Sequence, residues 1–402
     1  MKSTDERDSR LHTDVYAVVT GGGTSGHVLP AIAVLEALED SGISPERLRF
    51  VGCRRGIDAR LMGDTPYESV FLPVSGLRRN MSLSAIRDNL ALVWRLWNST
   101  RHARRLLRSW QPQVVVSVGG YASEPMARAA VSQGVPLVCV SYDRTPGLAT
   151  RRQARHAVGS AVAFPDSELP RARHTGAPVR RHVRTIDVSS RRDEARNILG
   201  IPADIMLVTV MGGSLGSAAL NSVSRALVEK CRAQAHTIGE RPVGILHLCG
   251  DRFVENEGAE SVQSGVWYRT VGYEPRIAEV YAATDVLVAR AGASTVAEIA
   301  AVGVPSVLVP WPAAADDHQR LNARWLADYS AADLIDETQM TSDVLFDRIT
   351  HLLSDAEARA SMSMRARELG EESRGDGLVR FINDVAQHRT TFDSTDDIGG
   401  SR

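Results

Sequence analysis

The sequence predicts an α/β protein built from two doubly wound parallel-sheet domains. Three observations lead there. Short β-branched runs alternate with helical patterns along most of the 402 residues. Those runs are nearly continuous in apolar residues, the mark of parallel strands covered on both faces. The pattern also restarts: a strand, a glycine-rich turn and a helix begin near residue 15 and again near residue 206. At roughly 150 residues per domain, a chain of this length has room for two or three.

Residues 1–13 are polar, carry acids and read as a loose tail; residues 388–402 read the same way. The N-terminal domain is placed at 14–180, with strands at 15–20, 48–53, 114–120 and 136–141. The C-terminal domain is placed at 181–387, with strands at 206–213, 243–250, 285–292 and 305–310. The charged, irregular stretch 176–200 joins them. In doubly wound sheets, ligands bind beyond the carboxyl ends of strands, so the motifs that matter should follow strands.

Composition excludes several classes. With 43% hydrophobic and 24% charged residues the chain is not disordered throughout. A net charge of −1 argues against a global polycation, so no nucleic-acid partner is expected. No run of about 18 apolar residues suggests a spanning helix, and the N-terminus lacks the apolar core of a secretory signal. Cys53, Cys139, Cys231 and Cys249 stand far apart without a CxxC pair. That argues against zinc and disulfides and fits a reducing cytoplasm. Only Lys2 and Lys230 are lysines among the 47 basic residues, which leaves little scope for lysine chemistry.

The first motif is GGGTSGHVLPAIAVLEAL, residues 21–38. Gly21, Gly23 and Gly26 match the GxGxxG spacing, which lets backbone N–H groups approach an anion at a helix N-terminus. A dinucleotide reading also wants an acid at the end of the second strand; Cys53, Arg54 and Arg55 stand there, which weakens NADP without removing it. His27 sits on the first helical turn, where the local field disfavours imidazolium. It either takes a proton from an attacking hydroxyl or merely packs in the turn. Segment 74–110 places Ile86, Leu90, Val93, Trp94 and Trp97 at helical spacing beside eight arginines and a single acid, Asp88. Such a surface suits an anionic membrane, with loop 76–81 in contact, or else packs on the sheet with a solvated arginine face. VGGYASEP (118–125), with Tyr121, and SYDRTPGLAT (141–150) are strand ends expected to line the N-terminal side of a cleft.

The second half repeats the design in MGGSLGSAALN, residues 211–221, where Ser214 caps the helix or binds phosphate. Arg180 is placed to clamp a diphosphate. RAGASTVAEIAAVGVP (290–305) is a strand end, a small-residue turn and a helix. Its Glu298 suits a pair of sugar hydroxyls or only complements the helix dipole. Gln319 can read sugar hydroxyls through its amide. Asp316, Asp317 and His318 are adjacent at a helix start and cannot all converge on one ion, so no metal is expected.

In register, these motifs resemble the MurG family, inverting transferases that add N-acetylglucosamine to lipid I. The resemblance covers about residues 14–385. It implies a GT-B fold, two Rossmann-like domains facing a cleft. It also implies UDP-GlcNAc as donor, an undecaprenyl-diphosphate-linked muramoyl-peptide as acceptor, no cofactor, and a peripheral site on the cytoplasmic face of the membrane. By matching position, His27 is the general base, and Thr24, Ser25 and Gly26 meet the donor. Arg180 and Ser214 meet the diphosphate, and the backbone of Glu274 meets uracil. Ala293, Ser294, Thr295 and Val296 form the turn near diphosphate and uridine, Glu298 holds ribose, and Gln319 reads GlcNAc. Tyr121, Ser141 and Asp143 lie on the acceptor side.

Three departures stand out. Val140-Ser141-Tyr142-Asp143 replaces the family's HEQN, Leu215 replaces the glutamine of GGSQG, and Glu124 replaces a glycine. Two of the three are on the acceptor side. They leave open a relative with another lipid or natural-product acceptor, a UDP-sugar epimerase, or a non-catalytic UDP-sugar-binding scaffold.

Overall fold

The structure, a computed structural model, describes residues 14–54, 57–74, 83–234, 237–254, 260–263 and 265–387. Both expected tails and the loop at 76–81 lie outside them. The chain folds as two compact units.

The first unit carries seven strands: β1 (Ala17–Thr20), β2 (Leu48–Cys53), β3 (Glu68–Leu72), β4 (Val114–Ser117), β5 (Leu137–Ser141), β6 (Gly159–Val162) and β7 (Ala172–His174). They lie side by side in the order β3-β2-β1-β4-β5-β6-β7, and every pair is parallel. The strand order reverses between β1 and β4, so a crevice opens beyond their carboxyl ends. Val18, Val51, Val115 and Cys139 bury one face of this sheet against Ala103, Leu107, Met126 and Ala130.

The second unit carries β8 (Met206–Met211), β9 (Thr237–Ile238), β10 (Arg241–Leu248), β11 (Glu260–Gln263), β12 (Val266–Val271), β13 (Val286–Ala289), β14 (Ser306–Leu308) and β15 (Asp333–Leu334). The order is β11-β12-β10-β8-β13-β14-β15, with β9 paired to β10. Among the described residues, only the β11–β12 and β9–β10 pairs are antiparallel. The reversal here falls between β8 and β13. Val208, Val210, Ile245 and Val288 pack against Leu220, Leu227, Leu345 and Ile349.

The expected boundary needs one correction. Residues 375–387 fold with the first unit, not with the second. Helix Gly377–Ala386 buries Leu378, Phe381, Ile382 and Val385. The Tyr16 hydroxyl donates to Asn383 Oδ1 at 2.6 Å, and Arg173 pairs with Asp384 at 3.2 Å. Residues 143–145 belong to the second unit. Fully buried Asn322 clasps them: its Nδ2 donates to Asp143 at 3.0 Å, and its Oδ1 accepts from the Arg144 amide at 2.9 Å.

Helix Leu83–Trp110 packs through one face and leaves another exposed. Ser99, Ala103 and Leu107, four residues apart, are buried. Trp94 and Trp97 are instead 64% and 58% exposed, and Arg101 lies over the Trp97 ring. Among the described residues, no helix is long and apolar enough to cross a membrane. All four cysteines are buried and unbridged.

Candidate active site

In the first unit, the chain leaves β1 through Gly21–Gly23 and enters helix Ser25–Asp40. Thr24 is its exposed N-cap and makes no side-chain cap; Ser25 and Gly26 follow in the first turn. His27 Nδ1 lies 2.7 Å from the Tyr142 hydroxyl. That hydroxyl donates to the Gly26 carbonyl at 2.6 Å, with the Val118 carbonyl further away at 3.3 Å. The imidazole lies against Gly119–Gly120, the turn after β4. At Gly120 (φ +78°) a Cβ would stand 2.7 Å from His27 Cδ2, so only glycine lets the ring sit there. His27 thus occupies the crevice at the β1/β4 reversal.

The dinucleotide reading of this loop fails at Gly23. Its N–H donates to Asp58 Oδ1 at 2.8 Å, and the other oxygen of that fully buried carboxylate accepts from the Cys53 amide at 2.9 Å. An amide needed for a phosphate cradle is therefore occupied, and by an anion. Tyr121 was placed on the acceptor side, yet its ring supports the loop. A Cβ at Gly23 would stand 2.6 Å from it, and its hydroxyl lies 3.6 Å from Cys53 Sγ. Burial, with Cys53 adding to it, raises the phenol far above its ordinary range, so it stays neutral.

The departures have local explanations. Glu124 opens helix Glu124–Gln133 and points to Arg128 at 2.7 Å and Gln153 Nε2 at 3.0 Å. Its carboxylate is thus absorbed at a helix N-terminus by a polar network. Ser141 is buried at the end of β5. Asp143 is taken up by Asn322. Arg180 folds with the first unit, its Nε 3.6 Å from Glu36 Oε1.

In the second unit, Gly212–Ser217 leads from β8 into helix Ala218–Ala233. Capping falls to Ser217, whose Oγ accepts from Leu220 N, so Ser214 is not the cap. Arg290, buried, donates to Ser217 Oγ at 2.6 Å and to the carbonyls of Val309 and Pro310, and pairs with Glu337. After β13, Ala293, Ser294, Thr295 and Val296 form the first turn of helix Ala293–Val302, whose N-cap Gly292 is extended. Val296 is buried in the core. The Ser294 Oγ is buried and makes no hydrogen bond among the described residues, an orphan beside a helix N-terminus.

Glu298 Oε2 accepts from the hydroxyl of Tyr281 at 2.7 Å. Tyr281 is fully buried; burial first, then Glu298, raises its phenol well above 10, so it remains a donor and aims the carboxylate. Gln319 Oε1 accepts from the Trp311 amide at 2.9 Å, which fixes its side-chain amide. The turn before it holds Asp316 and Asp317 at φ +54° and +52°. Left-handed non-glycine residues cost about 1–3 kcal/mol each and gather at functional turns. The Glu274 side chain is gripped by Arg276 at 2.8 and 3.0 Å. Burial pushes its carboxyl up, but the Arg276 bonds and charge outweigh that and hold it below the usual range. Among the described residues, no group of three His, Cys, Asp or Glu could hold a metal ion.

Sequence reasoning missed Tyr142, Asp58, Tyr281 and Asn322. Tyr142 was noticed only as part of a departure. The others are buried hydrogen-bonding side chains inside apolar or ordinary helical patterns, and nothing in their spacing announces a partner far along the chain.

Residues 17–159 match the glycosyltransferase family 28 N-terminal domain, and residues 207–375 match its C-terminal domain. A relative from Nocardioides sp. (strain ATCC BAA-499 / JS614) is 33% identical over 366 residues, covering 91% of this chain and 96% of its own. The chain belongs to the MurG family within glycosyltransferase family 28. The Nocardioides relative is named a UDP-N-acetylglucosamine--N-acetylmuramyl-(pentapeptide) pyrophosphoryl-undecaprenol N-acetylglucosamine transferase. So is one from Streptomyces coelicolor, 32% identical over 377 residues and covering 93% of this chain and 99% of its own. Among solved structures, Acinetobacter baumannii MurG aligns with a TM-score of 0.65 at 24% identity, covering 93% of this chain and 99% of that one. The kitacinnamycin glycosyltransferase aligns at 0.63 and 17%, covering 94% and 99%. These likenesses show the GT-B fold of the MurG family member.

Proposed function

We propose that the protein is an inverting glycosyltransferase that moves GlcNAc from UDP-GlcNAc to lipid I, the undecaprenyl-diphosphate-linked muramoyl-peptide, in peptidoglycan synthesis. One observation carries this reading: relatives named for that transfer match both domains over 91% and 93% of the chain. In the reaction, the C4 hydroxyl of the muramoyl sugar attacks the anomeric carbon of GlcNAc. A new C–O bond forms there as the bond to UDP breaks from the opposite side, and UDP leaves with the electron pair. The hydroxyl proton passes to His27. The Ser214 loop and the N-terminus of helix Ala293–Val302 receive the departing diphosphate, and no metal or other cofactor is used. Glu298 holds the ribose, and Gln319 reads the GlcNAc hydroxyls.

The acceptor is presented at an anionic membrane, on its cytoplasmic face. Exposed Trp94 and Trp97 beside Arg95, Arg101, Arg104, Arg105 and Arg108 support that part of the reading.

The test uses purified protein, radiolabelled UDP-GlcNAc and a lipid I analogue, with EDTA present. Label should move to the lipid. Donor binding without transfer would overturn the lipid I assignment, and loss of transfer in EDTA would overturn metal independence.

A further inference from the structure

We infer that Tyr142 is the positioning residue that fixes the tautomer of His27, holding the proton on Nδ1 and leaving the lone pair on Nε2. The inference rests on the reading of His27 as the base. Its argument is one of proton counting. A phenol has one proton to donate. Near the Tyr142 oxygen stand the Gly26 carbonyl at 2.6 Å, the Val118 carbonyl at 3.3 Å and His27 Nδ1 at 2.7 Å. Both carbonyls are acceptors only. If the phenol gave its proton to Nδ1, its lone pairs would face two carbonyl oxygens, the nearer at hydrogen-bond distance with no hydrogen between them. Giving the proton to Gly26 removes that conflict. The phenol then accepts from Nδ1–H, and Nε2 becomes the basic nitrogen.

Position supports the assignment. Tyr142 is buried and immediately follows β5, while His27 sits in the first turn of the helix after β1. The two rings meet edge to face at 6.3 Å, with Gly120 closing the other side of the imidazole. The ring therefore has both its tilt and its proton set by the fold before any substrate arrives. Tyr142 also occupies the glutamine position of the HEQN pattern. A glutamine amide offers the same pair of functions, an oxygen to accept from Nδ1–H and an N–H to donate to a carbonyl. The substitution changes the residue and keeps the hydrogen-bond polarity.

The test reads the tautomer directly. Uniformly ¹⁵N-labelled protein is examined by long-range ¹H–¹⁵N correlation, with His27→Ala used to assign the signal. Wild-type His27 should show a protonated Nδ1. Tyr142→Phe should shift it toward protonated Nε2 and lower kcat roughly 10- to 10³-fold, with KM for UDP-GlcNAc within about twofold. Tyr142→Gln should restore both the Nδ1–H signature and most of kcat. A wild-type His27 protonated on Nε2 overturns the inference whatever the variants do, as does an unchanged tautomer in a folded Tyr142→Phe protein. Wild-type turnover in His27→Ala would instead overturn the base reading, and that outcome is separate from the tautomer signal.

Discussion

The two strand–glycine loop–helix junctions of this protein share a plan and differ in what closes them. After β1, the loop is closed by an acid: the Asp58 carboxylate takes the amides of Gly23 and Cys53. After β8, the corresponding closure is made by Arg290, which donates to Ser217 while Glu337 balances its charge. A buried carboxylate against loop amides makes a poor anion cradle, since it uses a donor and adds like charge. The first junction therefore presents a side chain, His27, in place of a phosphate site. At the helix beside the second loop, the Ser294 hydroxyl is buried without a hydrogen bond among the described residues, where the proposed diphosphate would lie. Similar glycine spacing does not mean similar chemistry; the buried partner decides.

The largest effect expected from this division is on turnover. His27→Ala should lower kcat by roughly 10²–10⁴-fold and leave UDP-GlcNAc affinity nearly intact, measured by steady-state kinetics and donor titration. A variant that loses donor affinity as much as turnover would place His27 in the donor site and break the comparison.

Next comes an acid sensitivity of the second unit. His247 on β10 is buried, with Nε2 3.0 Å from Asn221 Oδ1 and Nδ1 3.0 Å from the Tyr268 hydroxyl. Asn221 in turn donates to the Cys249 carbonyl, behind the second loop. Burial, helped by Arg225, pulls the imidazole from 6.5 down to about 4. Above pH 6.5 the ring is neutral in both folded and unfolded chains, and its contribution is fully present. Between pH 6.5 and 4 the unfolded chain takes up the proton first, so stability falls as pH falls. At 1.36 kcal/mol per pKa unit, the loss is roughly 2 kcal/mol by pH 5 and roughly 3 kcal/mol once the pH is below 4. Urea midpoints of β8 and β10 peptides, read by pulsed hydrogen exchange at pH 7 and pH 5, should show it. His247→Gln should flatten the dependence for these peptides and leave β1 and β4 peptides unchanged.

The fold was legible because buried parallel strands advertise themselves. All eight strands expected from apolar runs are present, within a few residues. Several overlooked strands lack that signal: β3 is partly exposed, β6 (GSAV) is small, β7 (ARH) is an exposed edge, and β9 and β15 are two residues long. β11 was also passed over, and β12 (VWYRTV) was passed over although it carries the signal. The C-terminal helix was assigned to the wrong unit because its amphipathic pattern says that it packs, not on what. The glycine loops, His27, Glu298 and Gln319 lie after strands, as the sequence places them. Their supports were not, because hydrogen bonds such as Tyr142 to Gly26 or Tyr281 to Glu298 join residues that sequence spacing does not pair.

Tyr281 gives the mirror image of the His27 experiment. Tyr281→Phe keeps the ring in the core and removes the donor that aims Glu298. A hydrogen bond to a charged group is worth about 1.5–3 kcal/mol, so KM for UDP-GlcNAc should rise about tenfold or more, with kcat nearly unchanged. A drop in kcat at constant KM would erase the division of labour between the units.

The smallest effect sharpens the comparison at the surface. Helix Leu83–Trp110 of the first unit leaves two tryptophans exposed while Ser99, Ala103 and Leu107 hold it in place. Replacing Trp94 or Trp97 should therefore leave the fold intact. If these rings enter a lipid interface, burying about 40 Å² of each at roughly 25 cal/mol per Å² contributes about 1 kcal/mol. Each alanine variant should then weaken sedimentation with anionic vesicles about fivefold, while soluble-donor binding is unchanged. The neighbouring arginines add a salt-dependent attraction. Binding by the double variant should keep its salt dependence and lose its apolar part. Vesicle binding indifferent to both tryptophans and to salt would show that the membrane-facing surface lies elsewhere on the protein.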